Sequence, residues 1–587
     1  MRFDLTTRPW IPVLLLDGTE EELSLRGVFD RAKEIRRLSC GKATAEAALL
    51  RVLLAIVHDA LDGPADDGEW AQLWSRGWDV SVLHVYLDTH VDRFNLLHPS
   101  APFMQVAGLD SGSGAAPVER IVPEVPNNVR FFTMREGKVR LSFAEAARYL
   151  IEAHAYDASG IKSAADGDPR GKGGKVYPLG TGWAGKLGLS VVHGANLHQT
   201  LVLNLVPGCL AGDVPVWRRP PLEAGPMQGA EEHAVGPRSL YTWPSRRIRL
   251  VYDDERVHGV ILCYGDALDA IDRHDQEPMS SWRRSQAAER ALKRSPVLRP
   301  HRPAPEVVVW RTLASWTGAD AGTMASGVAA HLGRQVEAGR LAAEHPVRLE
   351  GVRVLYGTQE SVFSDIASDS QVLPVGLTAS AWTFAHVQSQ DDVVAAVMAL
   401  GSLAVDLARA EGMVDPEVRR IPVEQHAWAM LDGPCRAYLA GTDPVAPAMA
   451  WLQGWDRVVR EVIAREGETM VEQASDKAQE GRTITEGDKK IWFNSDKAGL
   501  RFREALRTAV PSVAEPGPDG RGLSRFALCP FCPREVRVTS KDLLRRHLDE
   551  VRSRCSGSRK SVKGWEEHAL GDRVVLFREQ DRVLSST

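Results

Sequence analysis

Apolar residues recur at helical spacing in two stretches of the N-terminal region. Residues 44–62 (TAEAALLRVLLAIVHDALD) keep apolar side chains three or four positions apart, and the stretch ends at a Gly-Pro pair, residues 63–64. Farther along, Ser142 and Glu145 have the S-x-x-E spacing of a capping box, which satisfies free backbone N–H groups at the start of a helix. The pattern therefore predicts one helix over 44–62 and a second from 142 to about 155.

Apolar runs with a strand-like pattern follow these helices. Strands are predicted in five segments: 189–206, 246–254, 259–267, 306–310 and 347–357. Residues 123–140 have two prolines and no period, which predicts an exposed loop, and 166–186 are rich in glycine and basic residues. Loops this long are uncommon unless they form binding surfaces. We therefore expect residues 1–384 to form a mixed α/β body with long functional loops.

The pattern becomes helical after about residue 385. Four helical segments are joined by short to moderate connections: 393–412, 423–441, 445–467 and 484–510. Such connections predict a four-helix bundle over 385–510. A Pro/Gly-rich linker over 511–525 leads to a small tail over 526–587. The predicted fold class is α+β, with the large body followed by the bundle and then by the tail.

Composition sets bounds on this architecture. The 587 residues suggest two to four domains, and 44% hydrophobic and 25% charged residues are ordinary values for a globular protein. The net charge is −5, so the chain as a whole gives no indication of nucleic-acid binding. Any contact with DNA or RNA must come from local basic surfaces.

Cysteine usage and apolar runs indicate the compartment. Four of the seven cysteines are scattered singly, as in reduced cytosolic proteins: Cys40, Cys209, Cys263 and Cys435. The first residues, MRFDLTTRPW, lack the build of a signal peptide. No run approaches 18 uninterrupted apolar residues. We therefore expect a cytoplasmic protein that does not span a membrane.

Two segments have the chemistry for phosphate contact. Residues 278–302 contain seven Arg or Lys and one Glu, with Trp282 among them as a possible stacking partner. The alternative for this segment is a solvated helix face followed by a Pro-rich loop. In 166–186, glycines flank three basic residues and would let the backbone approach a phosphate. The candidate contacts are Arg283, Arg284, Lys293, Arg170, Lys172 and Lys175.

Two enzymatic signatures are incomplete. Residues 180–187 (GTGWAGKL) have the G-x-x-x-x-G-K spacing of a P-loop, but Leu187 stands where a nucleotide-binding loop needs Ser or Thr for Mg²⁺. A turn in a backbone-binding loop is the preferred interpretation. His58-Asp59 and His274-Asp275 are HD dipeptides, as in metal-dependent nucleases, without companion histidines at suitable spacing. We expect both histidines to be structural or exposed.

The tail contains a candidate zinc site. Its spacing is C-x2-C-x14-H-x7-C, and the ligands would be Cys529, Cys532, His547 and Cys555. A C-x2-C turn followed by a helix with the histidine forms a closed, structural zinc site. In the alternative, Cys555 is a free thiol and His568 completes the shell.

The tail is also basic, with fifteen Lys or Arg against nine Asp or Glu over 521–587. A basic zinc module binds nucleic acid or protein, and some nucleases are built on C-x2-C knuckles. This tail has no Asn beyond Asn494 and no paired catalytic His, which argues against a nuclease.

Three segments, in this order along the chain, resemble the CasA family, the large subunit of the Cascade complex of type I-E CRISPR systems. They are WIPV (10–13), FNLLHPSAPFMQV (94–106) and YGTQES (356–361). The resemblance covers roughly residues 1–510, and the tail is a departure from it. It implies a non-catalytic subunit of an RNA-guided DNA surveillance complex. Its implied partners are other Cascade subunits, CRISPR RNA, double-stranded target DNA and a helicase-nuclease.

The resemblance also implies roles for particular residues. The family loop that matches YGTQES contacts the protospacer-adjacent motif (PAM) and inserts a Gln wedge, which makes Gln359 the wedge, beside Gly357 and Thr358. Glu360 stands where the family often has a small residue. Residues 126–132 match a loop that docks on the guide RNA, with Asn127, Asn128, Arg130 and Phe131 as contacts.

These assignments have structural alternatives. The 356–361 segment is otherwise an ordinary turn, and the aromatics of 126–132 would then fill the body's own core. The resemblance favours DNA contact for 278–302. The competing functions are a nuclease or zinc-dependent DNA-binding protein that acts through the tail, a P-loop ATPase, and a scaffold without DNA contact.

Overall fold

The structure is a computed structural model that describes residues 1–124, 139–208, 211–304, 306–320 and 322–510, and the backbone of four strands beyond residue 524. The chain divides into two compact units. One contains residues 1–317 and 323–371, and the other contains 318–322 and 372–587. The mixed helical and stranded architecture confirms the α+β class.

The first unit contains ten α-helices in the part of the chain that the structure describes: α1 Leu25–Asp30, α2 Ala43–Leu61, α3 Asp67–Arg76, α4 Val80–Thr89, α5 Phe143–Tyr156, α6 Leu197–Leu203, α7 Pro237–Tyr241, α8 Gln286–Leu292, α9 Leu313–Trp316 and α10 Gly327–Glu337. The strands up to the end of this unit are β1 Ile11–Leu15, β2 Glu20–Leu23, β3 Ile35–Leu38, β4 Ala116–Pro117, β5 Lys162–Ser163, β6 Lys175–Val176, β7 Leu189–His193, β8 Arg246–Tyr252, β9 Val257–Tyr264, β10 Trp282–Arg284, β11 Leu298–Pro300, β12 Thr323–Met324, β13 Pro346–Tyr356 and β14 Phe363–Pro374.

These strands form small sheets instead of one large one. The three-stranded sheets have the orders β2-β1-β3, β4-β9-β8, β11-β10-β12 and β14-β13-β7, and β5 pairs with β6. Two of these sheets contain segments that the sequence singled out. β10 and β11 lie within the basic segment 278–302, and the short connection from β13 to β14 contains YGTQES.

Helix α2 is central to this unit, and its residues from Thr44 to Asp59 are almost all buried. Arg51 donates to Glu277 through both terminal nitrogens, at 2.9 and 2.7 Å, and both side chains are almost fully buried. Trp183 donates to the same carboxylate at 2.7 Å. Loss of one partner of such a pair costs about 3–5 kcal/mol because the other charge remains buried. The pair therefore fixes how α2 packs against the segment around residue 277.

Several sequence predictions hold in this unit. The helices expected at 44–62 and 142–155 are α2 and α5, and Ser142 and Glu145 form the expected capping box. The strands expected at 246–254, 259–267 and 347–357 are β8, β9 and β13.

Two predicted strands were wrong. The stretch 189–206 is a strand only to His193, because Asn196 then caps α6 by accepting a hydrogen bond from the Gln199 N–H at 2.9 Å. Residues 306–310 form no strand, and a 3-10 turn occupies Val309–Thr312. Local capping overrode apolar patterning in the first case.

In its described residues up to 510, the second unit has four long helices: α11 Thr383–Glu411, α12 Arg420–Ala440, α13 Ala448–Glu472 and α15 Ser495–Ala509. Its other elements up to residue 510 are α14 Asp476–Glu480, β15 Arg482–Glu486 and β16 Lys489–Phe493. Helix α11 packs against the other three long helices. Trp451, Trp455 and Tyr438 form an aromatic cluster between α12 and α13.

The helix predicted over 484–510 was wrong in its first half. Residues 482–493 form the β15–β16 hairpin, which turns at Gly487 with φ +59°. Ile484 faces Ile491, and Thr483 faces Trp492, so β-branched and aromatic residues pair across the strands. The helix begins only after Asn494, whose side chain caps it.

Among the described residues, one helix, Ser380–Glu411, is long and apolar enough to cross a membrane by length and composition alone. Its apolar window is 61% buried inside the protein, and the core helix of a bundle has the same character. In the tail, the strands are β17 Arg525–Leu528, β18 Glu535–Arg537, β19 Glu566–Leu570 and β20 Arg573–Phe577, in the order β18-β17-β20-β19.

Candidate nucleic-acid interface

The turn between β13 and β14 presents Gln359 at an exposed tip. Thr358–Glu360 form one 3-10 turn, as expected for a tight turn at YGTQES. Gln359 and Glu360 have φ +56° and +54°, the left-handed region that side-chain-bearing residues rarely adopt. Each such residue costs on the order of 1–2 kcal/mol, so the surroundings must hold the turn in this shape.

Backbone contacts from residues 156–160 hold this turn. The N–H of Ser159 donates to the carbonyl oxygen of Glu360 at 2.7 Å. At the start of the turn, the Tyr356 hydroxyl donates to the carbonyl oxygen of Tyr156 at 2.6 Å, and its ring lies 5.4 Å from that of Phe363. The turn is therefore fixed at both ends by the same stretch of chain, while Gln359 remains exposed.

The Glu360 carboxylate has a partner. Arg302, at the end of the basic segment 278–302, donates to Glu360 Oε1 at 3.2 Å. Both side chains are about 40% exposed, so the pair adds little stability by itself. Its effect is local, since it offsets a negative charge beside Gln359 and brings the end of the basic segment to the turn.

The rest of the basic segment exposes cations on a small sheet. Arg283 on β10 lies directly opposite Arg299 on β11, and both side chains are exposed. Within the described residues, neither has an acidic partner, and like charges in facing positions are unfavourable without a counter-ion. Arg284 differs, because it donates to Glu289 at 2.6 Å. Arg283 and Arg299 are thus the better placed pair for a phosphate.

Two expectations for this segment need correction. Trp282 is fully buried, so it packs in the core and is not a stacking platform for a base. The segment is also not one solvated helix followed by a loop, since it forms β10, α8 and β11. Lys293 ends α8 with φ +53° and an exposed side chain, which keeps it available to solvent.

The second basic segment, 166–186, also contains both exposed basic residues and one that is engaged inside the protein. Lys172 and Lys175 flank a two-residue Gly-Gly turn, in which their backbones pair at 2.8 and 3.2 Å and both side chains are exposed. Gly173 and Gly174 both have positive φ, which a tight hairpin turn of this kind requires. The turn therefore presents two lysines at its tip, as a phosphate-binding loop would.

Arg170 has a different position from the one predicted. Its guanidinium donates to both oxygens of Asp168, and to the carbonyl oxygens of Gly265 at 2.7 Å and Tyr264 at 3.0 Å. These bonds tie the segment to strand β9. The geometry gives Arg170 a structural role and removes it from the proposed DNA contacts.

The P-loop-like residues 180–187 are packed inside the body. Lys186 Nζ donates to the carbonyl oxygen of Leu268 at 2.5 Å, and burial lowers the pKa of Lys186. A nucleotide-binding loop precedes a helix whose N-terminus faces the phosphates, whereas Ala184–Lys186 form only a three-residue 3-10 turn. The turn expected here thus exists, but its glycines serve packing.

The HD dipeptide in α2 is also structural. His58 is buried, and desolvation lowers its pKa to about 3. Asp59 accepts hydrogen bonds from Tyr86 at 2.6 Å and from Arg218 at 2.9 Å. Among the residues that the structure describes, no group of three or more His, Cys, Asp or Glu could hold a metal ion.

Several predicted site residues lie outside the described part of the chain. They are the guide-docking residues Asn127, Asn128, Arg130 and Phe131, and the zinc ligands Cys529, Cys532, His547 and Cys555. The alternative ligand, His568, lies on β19 opposite Val575.

The sequence analysis missed the residues that support the turn. Arg302 and Arg299 were within the basic segment, but only a fold could distinguish them from their neighbours. Ser159 and Tyr156 contact the turn through a backbone nitrogen and a backbone oxygen, for which no side-chain motif exists. Gly185 belonged to the P-loop-like spacing, which was a signal of close packing and not of phosphate binding.

Known proteins resemble this chain over most of its length. A curated CRISPR-associated protein CasA/Cse1 from Thermus thermophilus is 33% identical over 294 residues, which are 48% of this chain and 55% of that relative. The chain thus matches about half the length of this relative.

The structural likeness is more extensive. The crystal structure of Thermobifida fusca Cse1 is similar with a TM-score of 0.79 and 42% identity, over 87% of this chain and 99% of that one. A chain of a CRISPR RNA-guided surveillance complex has the same fold at a TM-score of 0.58 and 17% identity, over 86% of this chain and 99% of that one. The sequence model of the family described as CRISPR-associated protein Cse1 matches residues 4–465. The chain therefore belongs to the CRISPR-associated Cse1 family, also named CasA, which its three sequence motifs resemble.

Proposed function

We propose that this protein is the non-catalytic large subunit of an RNA-guided DNA surveillance complex, in which it recognises the PAM in double-stranded DNA and starts strand opening. The observation that carries the proposal is the exposed Gln359, held in a left-handed turn that is fixed at both ends. A preformed wedge loses little conformational entropy when it enters a base step. It can then unstack that step at a cost of a few kcal/mol, offset by new contacts.

The division of labour follows from the chemistry. Base pairing with the guide RNA supplies sequence specificity, so the protein needs to read only a short motif and the shape of the duplex. Exposed cations hold the duplex through its phosphates: Arg283, Arg299, Lys293, Lys172 and Lys175. The ion pair of Glu360 with Arg302 reduces the repulsion that a free carboxylate would exert on the DNA.

The proposed partners are other Cascade subunits, CRISPR RNA, double-stranded target DNA and a helicase-nuclease. The long helices α11 to α13 and α15 would contact the small subunits and the displaced strand. Asn127, Asn128, Arg130 and Phe131 would dock on the guide RNA. The subunit would recruit the helicase-nuclease and would act in the cytoplasm.

Catalysis by this chain is not part of the proposal. The P-loop-like segment is packed, and the HD dipeptide in α2 is committed to internal contacts. These observations remove the P-loop-like segment and the dipeptide in α2 as reasons to favour an ATPase or an HD-type nuclease.

We also propose that the tail binds one structural zinc ion through Cys529, Cys532, His547 and Cys555, with His568 as the alternative to Cys555. The C-x2-C pair lies in the connection between β17 and β18, which are paired antiparallel. A hairpin of this kind can bring two thiolates to one ion.

Target binding by the reconstituted complex tests the proposed function. Duplexes that share one protospacer and differ only in the flanking motif are compared, with and without this subunit. We expect the flanking sequence to change affinity strongly only when the subunit is present. Equal affinity for all flanking sequences in its presence would contradict PAM recognition. Full flanking-sequence dependence in its absence would assign recognition to another subunit.

A further inference from the structure

We infer that Tyr356 is the positioning residue of the Gln359 turn and that Gly185 forms the socket which accepts its hydroxyl. The inference rests on the proposed wedge function and extends it to residues that contact no DNA. It accounts for two features that wedge chemistry does not require. These are a half-buried tyrosine at the foot of an exposed turn and a glycine beneath it.

The hydroxyl of Tyr356 makes a specific contact far along the chain. It donates to the carbonyl oxygen of Tyr156 at 2.6 Å, 200 residues away in sequence. Burial raises the pKa of Tyr356 well above its usual value, so the hydroxyl remains a donor throughout the physiological range. Loss of this hydroxyl would leave a carbonyl without its partner beneath the turn.

A glycine is needed at position 185 because there is no room for a Cβ, and not because of its backbone conformation. Its φ lies outside the left-handed region, so the backbone would accept any residue. A Cβ at this position would lie 2.1 Å from the Tyr356 hydroxyl oxygen and 3.1 Å from the ring carbon that bears it. The ring cannot retreat freely because it packs against Phe363. Any side chain at 185 would therefore displace Tyr356.

Arg246 holds together the two backbone segments that contact Tyr356. Arg246 is almost fully buried and donates to the carbonyl oxygens of Asp157 at 2.9 Å, Ala158 at 3.2 Å and Gly180 at 3.1 Å. Its guanidinium thus joins the segment that accepts the Tyr356 hydroxyl to the segment that contains Gly185. A charged donor shared among three carbonyls holds both segments in register.

The position of Tyr356 links these backbone segments to the wedge. It is the last residue of β13, and the 3-10 turn begins two residues later. Gln359 and Glu360 adopt an unfavourable backbone conformation, which they keep only while both ends of the turn are held. Release of the Tyr356 end would let the turn relax and would lower the population of the wedge conformation.

The test compares Tyr356→Phe, Gly185→Ala and the control Tyr252→Phe, at a residue that is 39% exposed and lies outside the proposed contacts. Each variant is assembled into the complex, and affinity is measured for duplex targets and for targets already melted beside the PAM. Loss of this hydrogen bond predicts weaker duplex binding for Tyr356→Phe, by at most roughly fivefold because other contacts still hold the turn. We expect a larger loss for Gly185→Ala, no change for the control and near wild-type binding of pre-melted targets.

A double-mutant cycle separates positioning from a general structural role. If Tyr356 acts through the wedge, Tyr356→Phe should add little further loss in a Gln359→Ala background. Full additivity would overturn the inference, and so would equal loss on duplex and pre-melted targets. If Gln359→Ala weakens duplex binding while Tyr356→Phe and Gly185→Ala do not, the positioning role of Tyr356 is wrong and the proposed function stands. If Gln359→Ala itself has no effect on duplex binding, the wedge proposal and the positioning role of Tyr356 are both wrong.

Discussion

At the scale of single residues, the informative positions are those where the structure accepts an unfavourable state. Gln359 and Glu360 are in the left-handed region, although neither is Gly or Asn. Arg283 faces Arg299 with no acidic partner in the described structure. Local stability alone would select against both arrangements. Both lie in segments for which the sequence predicted DNA contact, and the proposed DNA binding would explain why they are kept.

The side chain of Gln359 can be separated from its backbone conformation by two substitutions. Gln359→Ala removes the wedge and disfavours the left-handed turn, whereas Gln359→Asn shortens the wedge but suits that turn. We expect both variants to assemble normally and to open duplex targets poorly, because the unstacking step needs the longer side chain. Pre-melted targets should restore binding. A Gln359→Asn variant that opens duplexes like the wild type would mean that the backbone conformation, and not the side chain, is required.

Buried histidines make the fold sensitive to acid. Desolvation lowers the pKa of His58 to about 3, so the folded state binds its proton only at much lower pH than the unfolded state, whose value is 6.5. The stability contributed by the neutral ring is present above pH 6.5 and is lost as pH falls below it. His154, with its pKa lowered to about 4, acts in the same direction.

His58→Leu should therefore flatten the acid side of the stability profile. Urea unfolding midpoints at pH 7.5 and pH 5 provide the measurement. From the pKa of His58, the wild type should lose about 2 kcal/mol at pH 5 from this residue alone. The variant should show a smaller difference between the two pH values. An unchanged difference would show that His58 does not titrate in this way.

At the scale of elements, the sequence predicted what strong local patterns determine. The apolar period of 44–62 and the capping box at Ser142 gave α2 and α5, and the alternation of 246–254 gave β8. The prediction of a helix over 484–510 failed in its first part. Residues 482–493 form a hairpin that turns at Gly487. The candidate site was predictable as a turn and as basic segments. Its supports were not, because Tyr156 and Ser159 act through backbone atoms.

The β10–β11 sheet offers a charge-matched test of phosphate contact. Arg283→Gln and Arg299→Gln should each weaken DNA binding for every flanking sequence and lower the slope of log affinity against log salt by about 0.9. Arg284→Gln should change the slope less, because that guanidinium is engaged by Glu289.

Competition electrophoresis or filter binding over a salt series gives these slopes. A loss confined to one flanking sequence would indicate base recognition by these arginines. Equal slopes for all three variants would show that the ion pair of Arg284 with Glu289 does not decide which arginine contacts the DNA.

At the scale of the whole molecule, the proposed function would depend on where charge is placed and not on its total. The chain has a net charge of −5, yet the tail beyond residue 520 carries six more basic than acidic residues, fifteen against nine. The Cse1 family match ends at residue 465, so the tail is an addition to the part that the family defines. A domain as short as this tail buries little apolar surface, so a structural metal would be a source of stability for it.

The tail should bind one zinc ion per chain, and metal binding should be coupled to its folding. Elemental analysis of the full chain after dialysis gives the stoichiometry, and Cys529→Ser or Cys532→Ser should abolish it. His547→Ala compared with His568→Ala tells which histidine is the ligand, and Cys555→Ser tells whether that thiol belongs to the shell. A chain truncated after residue 510 should lack zinc, remain folded and still join the complex, because the Pro/Gly-rich linker separates the tail from the helices. Retention of stoichiometric zinc by the Cys529→Ser variant would contradict the site, since a closed tetrahedral site that loses a thiolate at the C-x2-C turn keeps only three ligands.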